Sequence, residues 1–479
     1  MCNIVYLSLK EGTPASGYWD QTFLADLLED MLDSERTVVI IPGAYQGDII
    51  DKINDELAKY PKVLVFITSD EEGKFDCSKL KHPDMIHYCQ YGYCDHFFPI
   101  GYTDKTREML KHIGQVKKDL SIFFAGQLNS DERREAFSRM ALTPKAVLFG
   151  TEGFSKGLSP DQYYGYMARA VFAPAPGGHV SPDSFRFYEG LEAGCFPSDF
   201  PQYMFSLFPD MPFKGNNFTM FAWWIKTKIL IKQRLRKDLG IQEAMTIIVP
   251  TSPIKSHPST EIIDQTIESI RHHTDMDIII TIDGVRPEQK DLEPQYQEYV
   301  RKLLWKCNFE YKNVIPLLFE KHMHQSGMIK EALEYVKTPL VMFVEHDTPL
   351  VTDMEIDWKA ISKDILSGVA NVIRFHFEAK IPEEHEYLMV HEKDMPNLVA
   401  TKQWSQRPHV ASTAFYKDIM QFFSPDANCF IEDLIYGKCV EGNWDDWKVF
   451  IYHPAGNIKR SLNLDGRAGD KKFEKEQIW

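Results

Sequence analysis

Ala332-Leu-Glu-Tyr-Val-Lys-Thr-Pro-Leu-Val-Met-Phe-Val-Glu-His-Asp347 is the stretch on which the reading of the fold turns. With Ile329, its Ala332, Leu333 and Val336 make an apolar stripe at helical spacing, and Pro339 cannot continue that helix. Residues 340–344 then read as a short, wholly apolar strand that delivers Glu345-His346-Asp347 at its carboxyl end. Acidic side chains two apart at a strand end can converge, through the local turn, on one hard cation.

Outward from this stretch, short β-rich runs alternate with amphipathic helical stretches, the signature of α/β layers around largely parallel sheets. Strands are expected at 4–9, 37–41, 62–68, 120–124, 146–149 and 170–173, and again at 246–250, 277–282, 340–344, 372–375 and 448–452. Between the two series, residues 218–237 are aromatic first and basic later. A bridging helix packed between domains is expected there, with an interfacial membrane helix as the alternative that its Trp223, Trp224 and lysines allow. The expected domains are 1–115, 116–217, a linker at 218–242, and 243–479.

With 479 residues and 44% hydrophobic side chains, the chain can bury more than one core, because single cores stop growing near ~250–300 residues. A net charge of −15 provides no global positive field for nucleic acid or anionic lipid. The opening Met1-Cys2-Asn3-Ile4-Val5-Tyr6 enters an apolar run without a basic leader, and no stretch reaches the ~20 apolar residues of a membrane span. A cytoplasmic chain is expected, with its eight scattered cysteines reduced.

Other residues of the second half stand at chemically useful places. Thr251-Ser252 follows the strand at 246–250, and Ser259 or Thr260 caps a helix whose Ile263, Ile267 and Ile270 share a face. Asp283 follows the strand at 277–282, Glu432-Asp433 lies near a helix start, and His453 follows the strand at 448–452. The tail brings Lys459, Arg460 and Arg467, side chains that pair with phosphate oxygens. His322, His324, His346 and His376 carry no comparable pattern.

Residues 246–453 resemble the nucleotide-sugar-binding core of family 2-like glycosyltransferases of the GT-A fold, with the 332–347 stretch as the helix, strand and Asp-x-Asp element. The resemblance implies that Asp283 and Thr251 hold the donor nucleoside, and that Asp347, with Glu345 standing in place of the first Asp, holds Mn²⁺ or Mg²⁺. It implies His453 as a further metal ligand, and Glu432-Asp433 as the acidic pair near the acceptor, with Asp433 as the expected base. A Gln-x-x-Arg-Trp element is lacking, which argues against a processive synthase.

The first half carries a second motif. Ala170-Val-Phe-Ala-Pro-Ala-Pro176 leads through a Gly-containing loop to Ser184-Phe-Arg186-Phe-Tyr-Glu189, followed by Gly194-Cys-Phe-Pro197. This stretch resembles the donor-site segment of exostosin-like glycosyltransferases, and Phe123, Ala125 and Gly126 with Arg133 and Arg134 are similar to that family's preceding loop. The resemblance implies a compact GT-B pair of lobes, with Ser184, Arg186 and Glu189 binding the donor's phosphate and ribose. The first lobe is short for that family, and the membrane anchor of the animal enzymes is absent.

The expectation is therefore α/β, tandem Rossmann-like modules, a compact GT-B-like pair followed by a GT-A nucleotide-sugar-binding domain. The implied activity is a metal-dependent, inverting transfer from a nucleotide sugar to a hydroxyl acceptor, and the first half is either a second transferase site or a scaffold or acceptor-binding domain. The acceptor is a glycan or a hydroxymethylated base in DNA; residues 226–237 are the basic feature favouring DNA, and the net charge weighs against it. The alternatives are a non-catalytic sugar- or nucleotide-binding protein, or a nucleotidyltransferase. The last would need a Gly-rich phosphate loop where Thr251-Ser252-Pro253 stands.

Overall fold

The computed structural model describes residues 3–7, 21–31, 34–42, 49–70, 73–90, 94–151, 153, 156–177, 183–212, 214–424, 429–454 and 458–464. The chain forms two compact units, Met1–Gln242 and Glu243–Trp479.

In the first unit, β1 (Ile4–Tyr6), β2 (Thr37–Pro42), β3 (Val63–Thr68), β4 (Met85–Cys89) and β5 (His96–Phe97) make one parallel sheet in chain order. β2 and β3 are buried along their whole length, as their Val- and Ile-rich sequences require when both faces are covered. A second parallel sheet holds β6 (Leu120–Gln127), β7 (Ala146–Thr151), β8 (Ala170–Pro174) and β9 (Phe196–Ser198) in the order β7-β6-β8-β9.

The helix Asn217–Asp238 belongs to this unit. Asn216 caps it by accepting the Thr219 N–H at 3.0 Å, and Trp223, Trp224, Ile231 and Leu235 enter the unit's largest apolar core beside Phe23, Phe66, Tyr88 and Tyr188. Three of its lysines pair within the unit: Lys226 with Asp210 at 3.5 Å, Lys232 with Asp30 at 2.9 Å, and Lys228 with Glu192; Arg234 and Lys237 are exposed. Glu192 is fully buried, and also accepts from Trp224 Nε1 at 2.9 Å and from Arg107 at 3.0 Å. The apolar face that suggested a membrane surface is thus core, and these lysines are already paired within the unit. Among the described residues, no helix is long and apolar enough to cross a membrane.

One cysteine expectation fails. Cys89, at the end of β4, and Cys94, just before β5, form a disulfide, as the pairing of the two strands sets Cys89 beside Phe97. Cys77, Cys195, Cys307, Cys429 and Cys439 are free thiols.

The second unit is built on one mixed sheet. Its strands are β10 (Met245–Thr251), β11 (Ile278–Ile282), β12 (Val314–Leu318), β13 (Leu340–Phe343), β14 (Val372–Phe375), β15 (Leu398–Thr401), β16 (His409–Ser412) and β17 (Val449–Tyr452). The order is β12-β11-β10-β13-β16-β14-β17-β15, and the first four strands in that order run parallel. β16 runs antiparallel to both β13 and β14. The parallel part has the Rossmann-like order 3-2-1-4, so the direction of winding reverses between β10 and β13. The α/β class and the parallel sheets expected from the sequence are what the chain adopts.

Candidate functional site

In open α/β sheets a crevice forms where the strand order reverses, because the loops on either side lead away from each other. A cavity of about 290 Å³ lies at that position, beside the carboxyl ends of β10, β11 and β13. Thr251 and Asp283 reach it from the first two strands, and Glu345, His346 and Asp347 from the third. The expected donor and metal residues of the second unit therefore share one cavity, His453 excepted.

Asp283 is almost fully buried and committed within the protein. The backbone N–H groups of Gly284 (2.9 Å), Met323 (2.7 Å) and His324 (3.2 Å) donate to its carboxylate, and the His322 ring nitrogen lies 2.7 Å away. A carboxylate offers about four acceptor sites, so three of them are taken by backbone donors. Asp283 thus holds the loop before the helix His324–Tyr335 while lining the cavity where it was expected to meet a nucleoside. Gly284 belongs to the same clamp, since a Cβ there would stand 2.4 Å from the Lys321 carbonyl carbon.

The loop after β10 is braced from the other side. Thr251 shares a hydrogen bond of 2.9 Å with the Tyr299 hydroxyl, and the His257 ring stacks 3.8 Å from that of Tyr299 while its Nδ1 accepts the Ile254 N–H at 3.2 Å. Burial, then the nearby His346, pushes the His257 imidazole down to about 3. It is neutral in the fold.

An amide chain leads out of the cavity. Gln325 Nε2 donates to Glu345 at 3.0 Å, while Gln325 Oε1 accepts from Gln406 Nε2 at 2.5 Å and from the Ile431 N–H at 3.0 Å. The Gln406 N–H in turn donates to Glu432 at 3.2 Å. Arg374 and Arg407 place positive charge beside Glu432, and Arg407 also faces Glu345 and Asp347. Asp433 is exposed and accepts the Phe430 N–H at 3.3 Å, the role of a helix cap. The helix phase therefore leaves Glu432 half-buried and Asp433, the expected base, exposed.

His453 does not line the cavity; its backbone N–H continues the β15–β17 pairing by donating to Asn397 at 2.8 Å. Arg460 is buried and donates to the Pro454 carbonyl at 2.9 Å, while Arg467 lies outside the described residues. No group of three or more His, Cys, Asp or Glu side chains able to hold a metal ion occurs among the described residues. Glu345 and Asp347 remain as paired carboxylates, a donor set that fits Mg²⁺ or Mn²⁺ held jointly with a substrate's phosphates better than an all-protein cage.

In the first unit, Arg186 lies at the carboxyl end of β6. It donates to the Ala125 carbonyl, its guanidinium sits 4.7 Å from the Phe124 ring centroid, and its buried Nε has no hydrogen-bond partner. A Cβ at Gly126 would come within 2.4 Å of its Nη2, so a larger residue there would displace the Arg186 guanidinium. Arg133 approaches from the helix Asp131–Met140 and donates to the Gly177 carbonyl at 2.6 Å. Ser184 precedes the helix Phe185–Glu192, without a side-chain capping bond. The loop residues 178–182 lie outside the described residues. Glu189 is 6% exposed, and its carboxylate accepts from Thr103 (2.9 Å), Tyr163 (2.8 Å) and Tyr164 (3.0 Å). These hydroxyls hold the carboxylate that was expected to meet a ribose.

Gln325, Gln406 and Arg407 were not singled out from the sequence. Their contacts span 20 to 106 residues, and no local spacing marks them.

No protein-family model matches the chain, and no curated protein matches it either. Among solved structures, residues 1–349 of S. aureus TarS are similar at a TM-score of 0.30 and 14% identity, covering 46% of this chain and 60% of that one. The same TarS segment in complex with UDP-GlcNAc is similar at 0.30 and 12% identity, covering 46% and 58%. A UDP-glucose pyrophosphorylase complexed with UDP-glucose is similar at 0.30 and 10% identity, covering 47% of this chain and 96% of that one. The chain thus spans about 60% of the length of the TarS segment it resembles.

Proposed function

We propose that the second unit transfers a sugar from a nucleotide-sugar donor to a hydroxyl acceptor. What carries the reading is that one switch-point cavity gathers Thr251, Glu345 and Asp347, with a hydrogen-bonded chain running from Glu345 to Glu432. Its volume is near the lower end of the roughly 300–1,000 Å³ typical of ligand pockets. In this reading the donor's nucleoside lies against the loop after β10, and its diphosphate faces Glu345 and Asp347. A bound Mg²⁺ or Mn²⁺ would neutralise charge developing on the departing diphosphate. Glu432 takes the proton of the acceptor hydroxyl as its oxygen bonds to the anomeric carbon and the bond to the diphosphate breaks, a single displacement with inversion. Arg407, facing both carboxylate groups, keeps their mutual repulsion in check.

The first unit's two parallel sheets are read as the lobes 1–115 and 116–217 of a GT-B-like module. Arg133 and Arg186 supply the anion-binding side of a second donor site there, and the unpartnered Arg186 Nε supports that role.

The test is a screen of nucleotide sugars, with and without Mn²⁺, for release of nucleoside diphosphate. Acceptor-dependent release supports transfer. Exchange of pyrophosphate into a nucleotide sugar would favour a nucleotidyltransferase, and binding without turnover a non-catalytic role.

A further inference from the structure

Glu432 has aromatic neighbours that neither the donor cavity nor the proton transfer uses. Tyr436 stands four residues on in the helix Ile431–Glu441, hence on the same face, with Cβ atoms roughly 5–6 Å apart. The Tyr387 hydroxyl meets Tyr436 from the turn Glu383–Leu388, and the Tyr387 ring is 75% exposed. Neither tyrosine lines the donor cavity. Behind them, Arg374 is 2% exposed, its Nε has no hydrogen-bond partner, and its charge acts on both Glu432 and Tyr436. Arg407 lies 4.0 Å over the Phe377 ring.

We propose that Tyr387 and Tyr436 form the acceptor subsite, and that the acceptor is a neutral glycan whose sugar ring lies against these aromatic faces with a hydroxyl toward Glu432. The inference rests on the reading of Glu432 as the base. A pyranose has an apolar C–H face and a polar rim, which suits an exposed phenol ring beside charged hydrogen-bonding groups. The same turn weighs against a nucleic acid, because the exposed Glu383 and Glu384 set negative charge beside Tyr387 that repels a phosphate backbone, while Glu386 is paired with His391. An uncharged saccharide meets no such barrier.

Saturation-transfer NMR on the full chain with maltose, chitobiose and oligothymidylate tests this, with UDP, GDP, CDP and dTDP titrated into the same protein. The expected result is transfer to the ring protons of at least one disaccharide, weakened about five- to tenfold in Tyr387→Ala. Because Tyr387 is exposed, that variant should melt with the wild-type protein; Tyr436→Phe, which keeps the ring and loses the hydroxyl, should retain most of the signal. No Tyr387-dependent disaccharide signal, or a Tyr387-dependent oligothymidylate signal, overturns the glycan subsite. Nucleoside diphosphate binding without a disaccharide signal sinks the subsite and leaves the transferase reading standing. A Tyr387-dependent disaccharide signal without any nucleoside diphosphate binding leaves a glycan site at Tyr387 but overturns its role as an acceptor subsite together with the transferase reading.

Discussion

Gln325 donates to Glu345 at 3.0 Å, and with its other amide atom it accepts the backbone N–H that opens the helix carrying Glu432. One buried side chain therefore sets the distance between the carboxylate at the β13 end and the proposed base. Gln325→Leu keeps the bulk and removes all three side-chain bonds, the one from Gln406 included. Turnover should fall about 10²-fold, since small misplacements at a reacting centre cost that much, and stability should drop by about 1–3 kcal/mol. Steady-state kinetics beside urea unfolding checks both; unchanged kinetics in a destabilised variant would make Gln325 a purely structural residue.

The helix phase at Phe430 makes a sharper prediction for the acidic pair. Glu432→Gln should bind the donor nearly normally and turn over at least ~10²-fold more slowly. Asp433→Asn should lose up to about 1 kcal/mol of capping and remain close to wild type in rate. A slow Asp433 variant beside a fast Glu432 variant would return the base to the outward position.

Asp283→Ala should damage the donor site indirectly. It removes the acceptor for the Gly284, Met323 and His324 N–H groups, so the loop before the helix His324–Tyr335 loses its anchor. Several kcal/mol of stability and donor affinity should be lost together, because charge-assisted bonds to a buried carboxylate contribute about 1.5–3 kcal/mol each. Loss of affinity at full stability, read from calorimetry and thermal melts, would instead identify Asp283 as a direct nucleoside contact.

The second unit should also be acid-sensitive above the carboxylate range. Burial pushes His257 to about 3, and His376 and His409 to about 4, against an ordinary imidazole value near 6.5. Between about pH 6.5 and 4 the unfolded chain binds protons that the fold does not, so stability falls as pH falls through that window. His409→Phe should flatten this dependence by about one proton, since His409 is fully buried and stacks between Phe343 and Tyr416. Urea midpoints measured from pH 7 to 4.5 decide it; a flat wild-type profile would contradict the neutral histidines.

The fold was legible where burial on both faces forces uninterrupted apolar runs, as in β2, β3, β10 and β13. It was not legible in β5, which has two residues, or in β16, whose His409-Val-Ala-Ser412 carries little strand preference although it lies inside the sheet. Strand ends located Thr251, Asp283, Glu345 and Asp347, because a parallel sheet sends its carboxyl ends to one side. What each carboxylate does was hidden. The donors to Asp283 from Met323 and His324 lie 40 and 41 residues away, and the Thr103 donor to Glu189 lies 86 residues away, so only tertiary structure shows that these oxygens are occupied. The choice between Glu432 and Asp433 was a matter of about 100° of helix rotation, which Phe430 fixes and sequence order does not.

The buried Glu192, held by Arg107, Trp224 and Lys228, has a consequence for how this chain can change over generations. Replacing any one charged member strands the others in the interior, at a cost of about 3–5 kcal/mol, a large share of the roughly 5–15 kcal/mol by which domains are stable. Drift at these positions must therefore proceed by joint replacement. In descendants or cousins of this sequence, an apolar residue at Glu192 should come with the loss of both cations, and chains that retain the acid should retain Arg107 and Lys228 with it.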